Sequence, residues 1–422
     1  MTDAASAPDE SAGNPARPGG VLGSGWFGPG VAGIGGASLL ADVGHEVPSA
    51  LLPSLLTSTL GAPASALGLI EGVSDALAGA ARFGGGALAD DPKRRRAIAV
   101  GGYATTAVLS AGIGAATAVW QVALLRAGAW TARGLRVPAR NALLADIVTP
   151  TAYGRAYGFE RMMDNLGAVL GPLLAIALVA LFSVKTAIII SVVPGLLAAV
   201  AIIYAIRHTA RPRQRDKVPL RIRIRPILRG DLGKILGAIT AFEVGNVAAT
   251  LLILRATELL TPAHGAAGAT MIALALYTAY NLAATLASVP AGHLADRIGT
   301  RGPVLVLTAG VIAFAMAYGL FAVTGAGIWL LAAPFVLAGV GIGAVETAEH
   351  SAVAALAPAG LRGSAFGLLA AVQSLGNFAA SAIAGLLWTF LSPAAAFAYL
   401  TAWMVVAATG LIVTARSRTA TP

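Results

Sequence analysis

Two short stretches of this chain, 206 residues apart, have nearly the same sequence. Residues 86–90 read GALAD and lead into a basic run at 93–96. Residues 292–296 read GHLAD and lead into Arg297 and Arg301. Each stretch lies between long apolar segments. The repeat therefore predicts a bundle of membrane helices that has been duplicated in tandem.

The composition agrees with a membrane location. Hydrophobic residues make up 57% of the chain and charged residues 11%, whereas soluble domains have about 25% charged residues. The mean hydropathy is +0.78, and the 51 glycines allow membrane helices to pack closely. The chain has no cysteine, which excludes disulfides, thiolate metal ligands and a cysteine nucleophile.

Apolar runs long enough to span a bilayer, about 20 residues each, fall into two sets of six on either side of a basic segment. We therefore predict an all-α membrane protein of about 12 transmembrane helices in two tandem six-helix bundles. The runs lie at roughly 30–58, 65–88, 97–119, 121–146, 155–182 and 185–206, and then at 231–259, 267–292, 303–324, 328–355, 363–390 and 394–415.

The distribution of charge predicts the orientation. Nine Arg or Lys residues stand against one acid, Asp216, in residues 207–229, and an excess of basic residues marks cytoplasmic loops. The net charge of +10 is thus assigned to loops near lipid headgroups and not to a nucleic-acid site. Both termini are expected in the cytoplasm. The predicted units are a disordered tail at 1–24, bundles at 25–206 and 230–415, the linker 207–229, and a tail at 416–422.

The duplication extends beyond the first motif. Residues 154–158, GRAYG, recur as GSAFG at 363–367, and Leu166-Gly167 recurs as Leu375-Gly376 at the same offset. The two halves are therefore expected to be parallel repeats related by an axis along the membrane normal.

These motifs carry a resemblance to the major facilitator superfamily over residues 26–415. The string GHLADRIGTR at 292–301 is similar to the superfamily signature, and its first-half copy, GGALADDPKRRR, departs after the aspartate. The strings RGLRVPAR at 133–140 and ADVGHE at 41–46 resemble a poorly characterised prokaryotic branch. The resemblance implies secondary transport by alternating access.

The repeated motif is interpreted as a gate. Gly86 and Gly292 allow close helix contact, and Asp90 and Asp296 are expected at the positive N-terminus of the helix that follows each. The resemblance implies that both aspartates latch the cytoplasmic side. A topogenic loop with a helix cap is the alternative. The basic residues expected to bridge to neighbouring helices or to lipid are Arg94, Arg297 and Arg301.

The first two apolar segments carry acids. Asp42 and Glu46 are four residues apart and share a helix face, and an acid at a helix centre costs about 2.5–3.5 kcal/mol, so both are expected to face a cavity or a cation. His45 is a weak candidate metal ligand that is expected on another face. Glu71 and Asp75 repeat the spacing, and Asp75 is expected either to pair with Arg82 or to join a coupling site with Glu71.

Further candidates lie in the fourth and fifth segments. Arg126 is interpreted as a proton-coupling arginine, whereas Arg133, Arg136 and Arg140 are expected to snorkel or form ion pairs at the cytoplasmic end. Gly167, Gly171 and Pro172 resemble a Gly-Pro motif of proton-coupled exporters, with a bend where the halves meet. Arg161 and Asp164 are read as interhelical salt-bridge partners.

The second half has fewer buried charges. Glu243 and Glu346 are candidates for the cavity, with a structural role open for Glu346, and Glu349 is interpreted as structural. Gln373 and Asn377 are expected to line the cavity as neutral donors.

The sequence therefore predicts a proton-coupled transporter of the prokaryotic cytoplasmic membrane, an antiporter that exports a small organic or drug-like compound. Transport of a divalent metal cation and passive facilitation of a metabolite are the alternatives. Substrate, protons and membrane lipids are the expected partners, the functional unit is expected to be a monomer, and no cofactor is expected. No strand-to-helix glycine loop or metalloprotease spacing favours an enzyme.

Overall fold

The computed structural model describes residues 26–209, 224–323, 325, 327–358 and 360–417. The predicted tail at 1–24, most of the linker 207–229 and residues 418–422 lie outside them. Helices account for the fold, and the described residues contain no strand. The first seven helices are α1 Pro29–Ser54, α2 Ala64–Leu88, α3 Pro92–Gly112, α4 Val119–Ile147, α5 Tyr153–Leu181, α6 Val184–Ile190 and α7 Val192–Arg207. The other six are α8 Gly230–Gly245, α9 Ala249–Ile298, α10 Gly302–Val323, α11 Ile328–Leu356, α12 Arg362–Phe390 and α13 Pro393–Ser417.

Eight segments of the described chain are long and apolar enough to cross a membrane. They cover every helix except α1, α2 and α4. Those three helices carry intramembrane acids and arginines, including Asp42, Glu71 and Arg126. The all-α membrane class is thus confirmed, and the helices that fall outside the apolar set hold part of the candidate site.

Two helices are interrupted where the sequence predicts continuous runs. The sixth run is divided at Ser191 into α6 and α7, and the seventh at residues 246–248 into α8 and the start of α9. In contrast, the predicted end of the seventh run and the eighth run lie together in α9, which bends sharply at Gly265. Its φ of 69° lies in the left-handed region, which glycine adopts without a Cβ penalty.

The helices pack as two groups. In the first, α1 packs on α5 and α7, α4 on α2 and α3, and α3 on α7. In the second, α11 packs on α9 and α10, and α13 on α8 and α10. The groups meet where α2 contacts α12 and where α5 contacts α9 and α11. We call α1–α7 the first half and α8–α13 the second half.

Candidate functional site

The acids of α1 lie against the glycine motif of α5. Asp42 is 5% exposed, and a Cβ on Gly167 would lie 2.7 Å from the Asp42 Cβ. Gly171 is packed in the same way against Glu46. The two glycines therefore make room for the acidic face of α1. Pro172 lies within α5, a helix that also contacts α9 and α11 of the second half, and the bend expected there stays a prediction.

The ring of His45 lies closer to these acids than expected. Its Nδ1 is 2.8 Å from the Ala41 carbonyl oxygen and 3.3 Å from Asp42 Oδ1, and its Nε2 is 3.5 Å from Glu46 Oε1. Helical side chains lean toward the N-terminus of their helix, which places the ring over the preceding turn. Within the described residues, no three His, Asp or Glu side chains are arranged to hold a metal ion.

Arg126 links α4 to α1 and α2. Its guanidinium lies 2.9 Å from Glu71 Oε1 and donates a 3.0 Å hydrogen bond to Ser49 Oγ. It also lies 3.3 Å above the Trp130 ring, a cation–π contact. The Trp130 indole donates a 2.9 Å hydrogen bond to Asp75. Glu71, which lacks a partner on its own helix, thus pairs with Arg126.

The predicted pairing of Asp75 with Arg82 is not formed. Asp75 accepts its hydrogen bond from Trp130, and Arg82 donates to the hydroxyl of Ser374 on α12. Arg82 therefore connects the two halves.

A second ion-pair network was predicted from the sequence only in part, through Arg140, Arg161 and Asp164. Glu160 of α5 is 1% exposed and lies 2.8 Å from Arg140 and 2.7 Å from Arg161. Asp164 lies 3.4 Å from Arg140 and 3.1 Å from Arg161. Arg161 also lies 4.0 Å from Glu346 of α11. These five residues, here called the α5 network, reach from the first half into the second.

Two arginines of α4 are buried and do not snorkel, and Arg140 forms the other expected contact, an ion pair. Arg140 is 4% exposed and ion-paired, and Arg136 is 3% exposed. The Arg136 guanidinium lies 4.0 Å above the Tyr103 ring. Beside it is a cavity of about 10 Å³, room for one water-sized molecule. Tyr103 Oη and Ser110 Oγ line this cavity and have no hydrogen-bond partner in the protein.

The two clusters meet at a pair of carboxyl groups. The side chains of Asp42 and Asp164 lie close enough to interact with each other. The arginine that pairs with Asp42 is Arg133, at 3.7 Å. Because an ionised carboxylate has no donor, two carboxyl groups can share a hydrogen bond only when one of them holds a proton.

The second half holds its polar groups around the break between α8 and α9. Glu243, in the last turn of α8, accepts a 3.0 Å hydrogen bond from the Asn246 amide. Asn377 donates to the Asn246 carbonyl oxygen at 2.9 Å. Glu349, 1% exposed, accepts a 2.5 Å hydrogen bond from Gln373. Gln373 and Asn377 thus both act as donors, as the sequence predicts, but toward protein groups.

The gate aspartates bind the N-termini of helices in the opposite half. Asp90 accepts hydrogen bonds from the Ser364 amide at 2.9 Å and the Ser364 hydroxyl at 2.5 Å, at the start of α12. Asp296 accepts from the amides of Gly154 and Arg155, at 2.7 and 3.0 Å, at the start of α5. The prediction that each aspartate binds the N-terminus of the helix that follows it is wrong. The helix that follows Asp90 is α3, and its N-terminus is capped by Asp91. The dipole argument holds for a helix across the interface.

Close glycine contacts accompany each aspartate. A Cβ on Gly86 would lie 2.6 Å from the Gly363 carbonyl oxygen and 2.7 Å from the Gly367 Cα. Gly292 packs in the same way against Gly154. We call the Asp90–α12 contact the first latch and the Asp296–α5 contact the second latch. In each latch an aspartate motif of one half contacts the glycine motif of the other half: residues 86–90 contact 363–367, and residues 292–296 contact 154–158.

The basic residues of the gate divide into two groups. Arg94, Arg297 and Arg301 are exposed, and Arg94 lies 3.6 Å from Asp91 on its own helix. The bridging residues are instead Arg95 and Arg362, which both pair with Asp146. Burial raises the pKa of the Asp90 carboxyl group, and the hydrogen bonds from Ser364 act in the opposite direction.

The sequence contained signals for part of the latches and of the α5 network. Arg362 and Ser364 flank the repeated Gly363, and Arg155 follows its first-half counterpart Gly154. The adjacent Glu160 and Arg161 gave the signal for the α5 network.

A cleft of about 450 Å³ lies beside the second latch, lined by Thr151, Arg155, His293, Leu294, Asp296 and Arg297.

Comparison with known proteins agrees with this architecture. The family model described as Major Facilitator Superfamily matches residues 34–254 and 235–422. An uncharacterised MFS-type transporter of Methanocaldococcus jannaschii is 28% identical over 370 residues, 87% of this chain and 90% of that protein. An uncharacterised protein of Mycobacterium tuberculosis is 28% identical over 366 residues, 84% of this chain and 85% of its own.

Solved structures share the fold. The human organic anion transporter MFSD10 has a TM-score of 0.66 at 16% identity, and a bacterial homologue of the iron transporter ferroportin, in an outward-facing state, has 0.68 at 15%. Both alignments cover 91% of this chain and 99% of the other. At such identities the likeness shows the fold alone. The resemblance read from the repeated motifs is confirmed, and the chain belongs to the major facilitator superfamily.

Proposed function

We propose that this membrane protein is a proton-coupled secondary transporter that exports a small organic or drug-like compound across the cytoplasmic membrane of a prokaryote. Twelve membrane crossings, two six-helix bundles and cytoplasmic termini belong to the proposal. In this orientation the two latches lie on the cytoplasmic side. Both are closed, so the conformation is one in which the cytoplasmic entrance is shut.

The observation that carries proton coupling is the contact between Asp42 and Asp164. Asp164 lies within 3.4 Å of two arginines, Arg140 and Arg161, whereas the nearest arginine to Asp42 is 3.7 Å away. The ionised form is therefore stabilised more strongly at Asp164, and Asp42 is the group that holds the shared proton. A transported cation near Arg133 and Asp42 would favour release of that proton.

The surrounding carboxylates give the substrate class. The side chains of Glu46, Glu71 and Glu346 are 32%, 34% and 27% exposed, although they lie on membrane helices. Acids in such segments face a cavity or partner and not lipid. A site with three partly accessible carboxylates attracts a positively charged organic compound, and substrate and proton then compete for the same negative charge.

A divalent metal cation is the second candidate, favoured by the closeness of His45 to Asp42 and Glu46. Oxygen ligands suit hard divalent ions. However, the His45 Nδ1 is occupied by the Ala41 carbonyl oxygen, and the described residues form no three-ligand group. Passive facilitation of a metabolite would use the same cavity without a change in protonation at Asp42.

The test is internal pH in proteoliposomes that contain the purified protein, during addition of organic cations, organic acids and divalent metals in turn. One class is expected to move protons with wild type, and Asp42→Asn is expected to abolish that movement while insertion and ligand binding persist. Asp91→Asn, a cap on α3 outside the membrane, is the matched control. Normal proton movement by Asp42→Asn would refute the assignment, and solute flux without proton movement by wild type would identify a facilitator.

A further inference from the structure

The charges of the two halves are balanced differently. On α1–α5, the charged side chains at least six residues from a helix end are acids and arginines in equal number, six of each. The acids are Asp42, Glu46, Glu71, Asp75, Glu160 and Asp164, and the arginines are Arg82, Arg126, Arg133, Arg136, Arg140 and Arg161. The formal charge of the first-half interior is therefore zero.

The second half has no such balance. By the same rule α8–α13 hold Arg255, Glu258, Glu346 and Glu349, and Glu243 lies in the last turn of α8. Among the carboxylates of Glu243, Glu346 and Glu349, Glu346 alone has an ion pair within the described residues, with Arg161 at 4.0 Å. Arg161 is already shared by two acids of α5. An uncompensated carboxylate in a low-dielectric interior is strongly unfavourable, so the second half requires additional positive charge.

The geometry shows where that charge belongs. Glu349 is 1% exposed, and while its Oε1 accepts from Gln373, its Oε2 is buried without a hydrogen-bond partner in the protein. The electrostatic neighbours of Glu349 are Glu243 and then Glu346. Glu243, 3% exposed, accepts from Asn246 through one oxygen. Each of the two most buried carboxylates of the second half thus has one amide donor and needs a further positive group.

The backbone beside Glu243 is interrupted. Helix α8 ends at Gly245, and α9 begins at Ala249. Discontinuous membrane helices supply free polar groups at the depth where transporters bind ions. A Cβ on Gly376 of α12 would lie 2.9 Å from the Glu243 backbone carbonyl carbon, so α12 and its Gln373 are held close to this interruption.

We propose that Glu243 and Glu349, with the amides of Asn246 and Gln373, form a cation site in the second half, separate from the Asp42–Asp164 pair. Its occupant is a proton or Na⁺. Both satisfy the same chemistry, since each supplies one positive charge to an unpartnered carboxylate oxygen. The proposal extends the transport function proposed above. The existence of the cation site does not depend on that function, whereas its role in transport does.

Other charged and titratable groups also face the site and affect its pH dependence. From α11 comes Glu346, from α5 Arg161, from α9 Tyr280 and from α10 Tyr318. Arg161 and the tyrosines are common to every variant below, so differences between variants report the two glutamates.

The first experiment measures thermal unfolding of purified protein in lipid nanodiscs against NaCl, with choline chloride at equal ionic strength, at several pH values. If Na⁺ binds, the unfolding temperature of wild type rises with Na⁺ by about 2 °C or more. Glu349→Gln and Glu243→Gln lose the response. Glu258→Gln keeps it, because Glu258 of α9 bonds to Trp388 away from this site.

The second experiment reads the proton directly, as the infrared C=O stretching band of a protonated carboxyl group. It uses the Asp42→Asn background, which removes the first-half proton. If the occupant is a proton, this band persists in Asp42→Asn and is lost on adding Glu349→Gln or Glu243→Gln. A band that both double variants retain, together with no Na⁺ response in wild type, overturns the proposal.

The two proposals fail separately. Loss of coupled transport in Asp42→Asn together with an unchanged second-half signal supports both sites. Normal transport in Asp42→Asn refutes the first-half assignment and leaves the band and the Na⁺ response to decide the second.

Discussion

The first latch depends on the absence of a single side chain. A Cβ on Gly86 would lie 2.6 Å from the Gly363 carbonyl oxygen and 2.7 Å from the Gly367 Cα, whereas carbon contacts are optimal at about 3.5–4.0 Å. Both obstacles are backbone atoms and cannot rotate away, so Gly86→Ala must separate α2 from α12 by about 1 Å. Overpacking of this kind costs about 1–3 kcal/mol.

In the proposed transport cycle the seam between α2 and α12 separates when the latch opens, so that cost falls on the closed conformation alone. A difference of 1–3 kcal/mol shifts the closed-to-open ratio by about 5–150-fold. Gly84→Ala on the same helix is the control. Its Cβ would meet nothing within 4 Å, so it reports only the gain in helix propensity of about 1 kcal/mol that both variants share.

The measurement is the distance between spin labels at Arg94→Cys and Arg297→Cys, two exposed positions on opposite halves. The natural chain has no cysteine, so no background label arises. We expect Gly86→Ala to shift the distance distribution toward the longer population and Gly84→Ala to leave it unchanged. Identical distributions for the two variants would show that the seam relaxes without opening, and the reasoning would be wrong.

Two other substitutions test the remaining contacts. Arg161→Gln leaves Glu160, 1% exposed, with one arginine fewer, and removal of one partner of a buried ion pair costs about 3–5 kcal/mol. Arg94→Gln, 51% exposed, should change the unfolding temperature little, so equal effects of the two variants would contradict the buried network. Asp296→Asn removes the ion pair with Arg155 and should shift the same spin-label distance toward the open population, and an unshifted distance would exclude an energetic role for the second latch.

The duplication and the membrane class could be predicted from sequence because both are local patterns: a repeated string and runs of apolar residues. Local patterns did not predict which helices the gate aspartates bind. Asp90 and Asp296 bind helix N-termini as their chemistry requires, but the helices lie 274 and 142 residues away. Nothing local to either motif specifies which helix end will be nearest, because the packing of one half on the other decides it.

In the candidate site, too, single residues could be predicted from the sequence but their contacts could not. The acids of α1 and the glycines of α5 could be recognised singly, but their contact depends on the packing of two helices. Glu160 was not among the predicted site residues because its contact with Arg140 of α4 depends on the packing of α5 on α4. The interruption at residues 246–248 had a sequence signal in Gly245-Asn246, a pair that favours turns within an otherwise apolar run.

The two latches are reciprocal: the loop after α2 reaches α12, and the matching loop at the end of α9 reaches the matching helix α5. This is the geometry of an isologous interface, in which patch i of one protomer contacts patch j of its twin and the reverse. The two halves of the single chain therefore contact each other as the two subunits of a homodimer do. The charges of the halves nevertheless differ: acids and arginines are equal in number in the interior of α1–α5, whereas acids outnumber arginines inside the second half.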